Sequence, residues 1–148
     1  MSDHDYEKLL NINLAAPFKV VKQIIPSMKK NRYGRIVNIS SIWSQISKSN
    51  RSLYTVSKSG LSGFTRALAI EYGKENILVN SISPGFTFTE LTKNSLSNEE
   101  IKKLSNQIPL RRFSEPVEIA NSVLFLASDM NTYITGTNIF IDGGFTIV

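Results

Sequence analysis

Apolar residues recur along the chain at two spacings that alternate from one segment to the next. Between Leu9 and Met28 they return every three or four residues, which predicts one long, well-buried helix. Pro17 and Pro26 interrupt this pattern. Because proline lacks an N–H and its ring crowds the carbonyl four residues back, Pro17 should leave the carbonyl of Asn13 unpaired at a kink that a water could fill. An ordinary bent helix would show the same pattern.

Three short aliphatic runs, at 35–41, 77–82 and 138–141, predict buried parallel strands. A loop over a pocket is expected at 42–52. Helices are predicted at 54–72, at 97–106 and from residue 116 onward, and the rest of 91–112 looks polar and mobile. The alternation of helices and strands predicts a single α/β domain, residues 1–148, with a parallel sheet and right-handed crossovers.

Two of these helices carry further expectations. The helix at 54–72 contains many small residues, and its two glycines, Gly60 and Gly63, each cost about 1 kcal/mol relative to alanine. Tertiary packing must offset that loss, so we expect another helix or a second subunit to approach closely. The last helix is predicted to bury Ile119, Val123, Leu124, Leu126 and Ala127.

Composition excludes several classes of function. The chain has no cysteine, so disulfides and thiolate metal sites are excluded, and its single histidine, His4, cannot build a zinc cluster. No apolar run approaches the roughly 18 residues of a membrane span. Residues 1–14 lack the basic stretch of a secretory signal. We therefore expect neither a metal nor a membrane partner.

The net charge of +5 raises the question of an acidic partner. Basic residues cluster at Lys29, Lys30, Arg32 and Arg35. No aromatic stripe interleaves them and no nucleic-acid recognition motif is present, so a solvated basic turn is the simpler interpretation and we expect no nucleic acid. Among functional interpretations, an acidic substrate or an acidic carrier fits better.

Polar residues follow two of the predicted strands. Ser40 and Ser41 end the first, and a Pro84-Gly85 turn with Thr87 ends the second, followed by Thr89. Ligands of open α/β sheets bind beyond the carboxyl ends of strands. The serines either act there or cap a turn, and the threonines either bind a ligand or are solvated.

A phenol and an ammonium, Tyr54 and Lys58, lie four residues apart on a predicted helix and so share one face. A fixed ammonium favours the phenolate and would lower the pKa of a neighbouring phenol, which suits a general acid/base. Most such pairs on helices are merely solvated. Only the motifs that accompany Tyr54 and Lys58 can therefore indicate a catalytic role for the pair.

In this order and at this spacing, the motifs resemble the short-chain dehydrogenase/reductase family of the classical type, over nearly all 148 residues. The matching segments are residues 11–14, 34–41, 77–80, 116–120 and 141–144, Tyr54-x-x-x-Lys58, and Pro84-Gly85 with Thr89. The resemblance implies part of a doubly wound parallel Rossmann-type sheet. No G-x-x-x-G-x-G occurs in the chain, so we expect the carboxyl-terminal portion of the family domain, with the amino-terminal half missing and an open sheet edge.

The resemblance also implies a catalytic group made of Asn13, Ser41, Tyr54 and Lys58. Tyr54 would exchange a proton with the substrate oxygen, and Ser41 would hydrogen-bond that oxygen. Lys58 would lower the pKa of Tyr54 and bind the nicotinamide ribose, and Asn13 would hold a relay water through its main-chain carbonyl. Ser41 is preferred to Ser40 because the family pattern around it fits better.

The implied cofactor is NAD or NADP, with Pro84, Gly85, Thr87 and Thr89 lining its nicotinamide end beside Tyr54 and Lys58. The resemblance implies a cytoplasmic oxidoreductase that interconverts a carbonyl and a secondary alcohol, and that forms dimers or tetramers. The substrate would be a small molecule, free or held on a carrier protein as for 3-oxoacyl-carrier-protein reductases. The alternative is a catalytically inactive fragment that serves only as an interaction or structural module.

Overall fold

The computed structural model describes residues 2–147. Its helices and strands alternate as the hydrophobic spacing predicts. In chain order they are α1 (Asp3–Leu10), α2 (Ala16–Asn31), β1 (Gly34–Ile39), α3 (Ser52–Tyr72), β2 (Ile77–Pro84), α4 (Glu90–Ser95), α5 (Asn98–Ser105), α6 (Pro116–Ala127) and β3 (Asn138–Ile141). None of the helices in residues 2–147 is both long and apolar enough to cross a bilayer.

The three strands form one parallel sheet in the order β1-β2-β3. The predicted parallel α/β sheet is therefore confirmed. Ile77 and Val79 of β2 are fully buried, and they pack with Val21 and Ile25 of α2 and Leu68 of α3 in the main core cluster. Burying side chains of this size stabilises a fold by about 1.5–3 kcal/mol each, so this cluster holds α2 and α3 against the sheet.

The long first helix is interrupted where Pro17 predicts it. Residues Asn11–Ala15 form a π-helical turn between α1 and α2, in which the N–H of Ala16 donates to the carbonyl of Asn11, five residues back. The wider turn directly precedes Pro17, whose ring would otherwise crowd the carbonyl of Asn13. By contrast, α2 continues through Pro26.

The structure corrects three expectations. The long first helix is not well buried, because neither α1 nor Asn11–Ala15 contains a buried residue and Val20 of α2 is 59% exposed. Residues 91–112 contain more helix than predicted, because Thr89 caps an additional helix, α4, through a bond from the N–H of Thr92 to its hydroxyl. In α6, Leu126 is 1% exposed, but Leu124 is 64% exposed and Ala127 is also exposed. The helix packs on the sheet with one face, so its apolar residues are not all buried as predicted.

Candidate active site

Lys58 is held between the end of β1 and the ring of Tyr54. Its Nζ donates to the carbonyl of Ile39 at 2.9 Å and lies 5.6 Å from the centroid of the Tyr54 ring. The first turns of α3 carry both residues, as the four-residue spacing predicts. Burial lowers the pKa of Lys58 below its ordinary value. An ammonium has three donors, so two remain for a ligand after the bond to Ile39.

Asn13 reaches α3 through a buried serine that sequence reasoning missed. Its Nδ2 donates to Ser57 Oγ at 3.1 Å, and Ser57 Oγ donates to the carbonyl of Tyr54 at 2.8 Å. Ser57 is fully buried. The side chain of Asn13 thus fixes the first turn of α3, and the relay role of its main-chain carbonyl stays a prediction.

The two serines that follow β1 have different surroundings. Ser40 Oγ donates to the carbonyl of Lys58 at 3.2 Å and lies 3.3 Å from Ser62 Oγ, so it is used inside the fold. Ser41 Oγ accepts the N–H of Trp43 at 3.3 Å. Within residues 2–147 it donates to no other group, so its hydrogen can point at a substrate oxygen. The two serines therefore differ in their hydrogen bonds, and the catalytic role of Ser41 stays a prediction.

The turn after β2 lies against the end of β3 because it contains a glycine. The N–H of Gly85 donates to the carbonyl of Ile141 at 3.0 Å. A Cβ added to Gly85 would lie 2.8 Å from both Cα and Cβ of Asp142. Pro84 and Gly85 are therefore fixed to β3 at the carboxyl edge of the sheet.

The two threonines beyond this turn are both hydrogen-bonded. Thr87 forms an isolated β-bridge with Ser114, and their hydroxyl oxygens lie 3.0 Å apart. Thr89 Oγ1 lies 3.0 Å from Thr92 Oγ1 and caps α4. Thr87 is half-buried and Thr89 is exposed. Both roles toward a cofactor remain predictions.

Comparison with known proteins places this geometry in a family. A family model described as enoyl-(acyl carrier protein) reductase matches residues 1–146. The chain belongs to the short-chain dehydrogenase/reductase family. It is 44% identical over 144 residues to the 3-oxoacyl-[acyl-carrier-protein] reductase FabG of Buchnera aphidicola, covering 97% of this chain and 59% of that protein.

Two solved structures show the same fold. A gluconate 5-dehydrogenase from Burkholderia cenocepacia, in complex with NADP and tartrate, shares 25% identity with a TM-score of 0.94 over the whole chain. A 4-hydroxyisoleucine dehydrogenase mutant, complexed with NADH and succinate, shares 38% identity with a TM-score of 0.93 over 99% of the chain. The chain spans 58% and 61% of their lengths.

Sequence reasoning missed the polar contacts by which this short-chain dehydrogenase/reductase chain fixes α3 on β1. Asn38 Nδ2 donates to Thr65 Oγ1 at 2.8 Å, and Ser40 lies against Ser62 one turn closer to Tyr54. The signal was available in the polar alternation of Asn38 and Ser40 along a strand whose other residues are largely aliphatic. These contacts set how far along the sheet α3 places Tyr54.

The segment that pairs with Thr87 is tied to α6 by an ion pair. The two Nη atoms of Arg112 each lie 2.7 Å from a carboxylate oxygen of Glu118, and Glu118 also accepts the N–H of Glu115. Arg112 is the main cause that holds the pKa of Glu118 at about 2, below its ordinary value of 4.5.

Among residues 2–147, no group of three or more metal-binding side chains is placed to hold a metal.

This ion pair predicts an acid-sensitive contribution to stability. The pKa of Glu118 is lower in the folded than in the unfolded state, so the contribution is full above about 4.5 and is lost as pH falls towards about 2. Glu118→Gln should therefore lower the urea midpoint at about pH 7 and have less effect at about pH 3. Glu99→Gln, at an exposed residue of α5, is the control. An equal effect of Glu118→Gln at both pH values would contradict the assignment.

Proposed function

We propose that these residues supply the proton-transfer part of an NAD(P)-dependent oxidoreductase that interconverts a carbonyl and a secondary alcohol. The observation that carries the proposal is the placement of Lys58, whose half-buried ammonium bonds the end of β1 and lies over the Tyr54 ring. The turn with Ser41 follows the same strand and packs against α3. Tyr54, Ser41 and Lys58 therefore belong to one edge of the sheet.

In reduction, the Tyr54 hydroxyl gives its proton to the substrate oxygen, and in oxidation it takes that proton back. Ser41 donates its free hydrogen to the same oxygen and stabilises the charge that develops there. Lys58 places its positive charge over the Tyr54 ring. Asn13 would hold a relay water that returns the proton.

The residues present fit the nicotinamide end of a dinucleotide. Lys58 has two donors left for ribose hydroxyls, and Gly85 keeps the Pro84-Gly85 turn tight enough for Thr87 and Thr89 to line the nicotinamide. The dinucleotide would supply the hydride. The two solved relatives are complexes with NADP and with NADH, which supports NAD or NADP as the cofactor class.

The substrate class follows from the relatives. They are named for a 3-oxoacyl group, gluconate and 4-hydroxyisoleucine, which share a carbonyl or secondary alcohol carbon. We propose a small substrate of this kind, free or on a carrier protein. Arg32 is exposed, so its guanidinium is accessible to an acidic carrier. Lys29 Nζ, however, lies 3.6 Å from Glu75 Oε1, and this carboxylate offsets part of the positive charge of the basic turn. A cytoplasmic location stays a prediction.

A homo-oligomer belongs to the same proposal. A groove of about 720 Å³ runs between α2 and α3. It is lined by Phe18, which is 54% exposed, and by Phe64, whose ring centroid lies 5.9 Å from that of Phe18. A second copy would cover this apolar surface. Sedimentation of the protein tests this, and a monomer at all concentrations would contradict it.

The exposed apolar groove also favours the alternative, an inactive interaction module. Because the 148 residues contain no glycine-rich phosphate motif, we expect residues 1–148 alone to bind NADPH weakly. Titration of NADPH fluorescence with the isolated chain measures this, and micromolar binding would contradict the expectation. Turnover of a carbonyl substrate by the whole protein in which these residues occur distinguishes the two hypotheses, an active oxidoreductase and an inactive interaction module. The module would show none.

A further inference from the structure

Three polar side chains from three segments meet at the carboxyl edge of the sheet. Ser44 ends the turn that begins after Ser41, Ser83 lies in β2, and Asn138 begins β3. Ser44 Oγ lies 3.3 Å from Ser83 Oγ, Ser83 Oγ lies 2.8 Å from Asn138 Oδ1, and Asn138 Nδ2 lies 3.1 Å from Ser44 Oγ. The three groups close a ring of hydrogen bonds, and Ser83 is fully buried.

The donors and acceptors fix the direction of every bond in this ring. Asn138 donates through Nδ2 to Ser44, and its Oδ1 accepts from Ser83 and also, at 3.0 Å, from Ser81. A hydroxyl has only one hydrogen, so Ser83 has none left for Ser44. Ser44 must therefore donate to Ser83. All three bonds run in one direction, an arrangement in which each bond polarises the next and removal of one member weakens the others.

The backbone of Ser44 connects the ring to the catalytic segments. Its N–H donates to the carbonyl of Ser41 at 2.9 Å. Its carbonyl accepts from Ser59 Oγ at 2.9 Å, and Ser59 directly follows Lys58 on α3. On the other side of the ring, Ser83 directly precedes the Pro84-Gly85 turn. One residue, Ser44, is thus hydrogen-bonded to Ser41, to α3, to β2 and to β3.

We propose that the Ser44–Ser83–Asn138 ring is a positioning device that sets the turn of Ser41 in place relative to α3 and the Pro84-Gly85 turn. None of its three members touches the reacting atoms. They act through Ser41, Lys58 and the loop after β2. The effect of the ring on catalysis rests on the proposed function, whereas its effect on the geometry of the turn does not.

Trp43 gives a direct test, because it is the only tryptophan of the chain and lies in the turn itself. Ser83→Ala is 40 positions away in sequence, yet it should shift the emission of Trp43 to longer wavelength and increase its quenching by acrylamide. Ser44→Ala should do the same. The double variant should shift the emission no further than one single variant, because either change opens the same ring.

Ser47→Ala is the matched control. Its hydroxyl also joins the loop to α3, at 2.9 Å from Thr55 Oγ1, but on the exposed surface. It should leave the emission of Trp43 unchanged. Asn138→Ser keeps a small polar group and provides a milder opening of the ring if another variant folds poorly. An unchanged Trp43 in Ser83→Ala, or additive shifts in the double variant, would overturn the proposal.

Turnover of the whole protein tests the consequence for catalysis. A displacement of about 1 Å at reacting atoms can reduce a rate by up to about 10²-fold, so we expect Ser44→Ala to lower kcat about tenfold or more. The KM of the cofactor should change less, since the residues proposed to bind it remain. A wild-type protein without turnover would refute the proposed function while the Trp43 measurement still decides the ring. A change in KM alone, with kcat intact, would overturn the positioning role.

Discussion

Tyr54→Phe is expected to abolish turnover of the whole protein with a nicotinamide cofactor and a carbonyl substrate. The substitution removes the hydroxyl that carries the proton and keeps the ring over which the Lys58 ammonium lies. General acid–base catalysis contributes about 10²–10⁴-fold to rates, and we expect a loss at the upper end because no other phenol is proposed to serve the site. Consumption of NADPH, followed by absorbance, measures the effect.

Tyr72→Phe is the matched control for this variant. Tyr72 lies on the same helix and also has a lysine near its ring, with Lys29 Nζ at 5.7 Å from the centroid. Tyr72→Phe should leave turnover within about twofold of the wild type, because Tyr72 is not among the residues of the proposed active site. Substantial residual activity in Tyr54→Phe, with Tyr72→Phe also active, would refute the role given to Tyr54.

Gly85→Ala is expected to have two effects at once. It should lower the stability of the fold, and it should weaken the binding of the cofactor. The new methyl group would meet Cα and Cβ of Asp142 at 2.8 Å, so the turn or the end of β3 must move. Asp142 cannot shift freely, because its carboxylate accepts the N–H groups of Gly144 and Thr146 and the Thr146 hydroxyl. Overpacking of this kind costs about 1–3 kcal/mol, which a urea unfolding curve measures.

Gly73→Ala separates this effect from the general effect of replacing a glycine. A Cβ at Gly73 would meet no atom within 4 Å, and the residue already has helical backbone angles. That variant should be as stable as the wild type or slightly more stable, since alanine restricts the unfolded chain. If Gly85→Ala were as stable as Gly73→Ala, the fold would not require the close contact between Gly85 and Asp142.

The sequence predicts the sheet and the face that Tyr54 and Lys58 share, because both follow from local periodicity. A run such as Ile77-Leu78-Val79 is buried wherever it pairs, and two residues four apart lie together on any helix. The π-helical turn before Pro17 is also a local effect, since the ring of a proline acts on the carbonyl four residues back.

The contacts that complete the site could not be predicted in the same way. The bond from Lys58 to the carbonyl of Ile39 depends on how α3 packs against β1, which no spacing within α3 reports. The bond between Ser44 and Asn138 joins residues 94 positions apart. The exposure of Leu124 depends on which elements cover α6, so a helix pattern alone led to the wrong expectation.

We propose hydride transfer at a carbonyl carbon as the reaction that these residues serve. Its most direct test supplies the whole protein with a carbonyl substrate and with NADPH or NADH carrying deuterium at the hydride position, and then analyses the alcohol by mass spectrometry. We expect one deuterium on the carbinol carbon of the alcohol with the wild type, and no detectable alcohol with Tyr54→Phe. An alcohol formed without the label, or no alcohol from any carbonyl substrate offered, would contradict it.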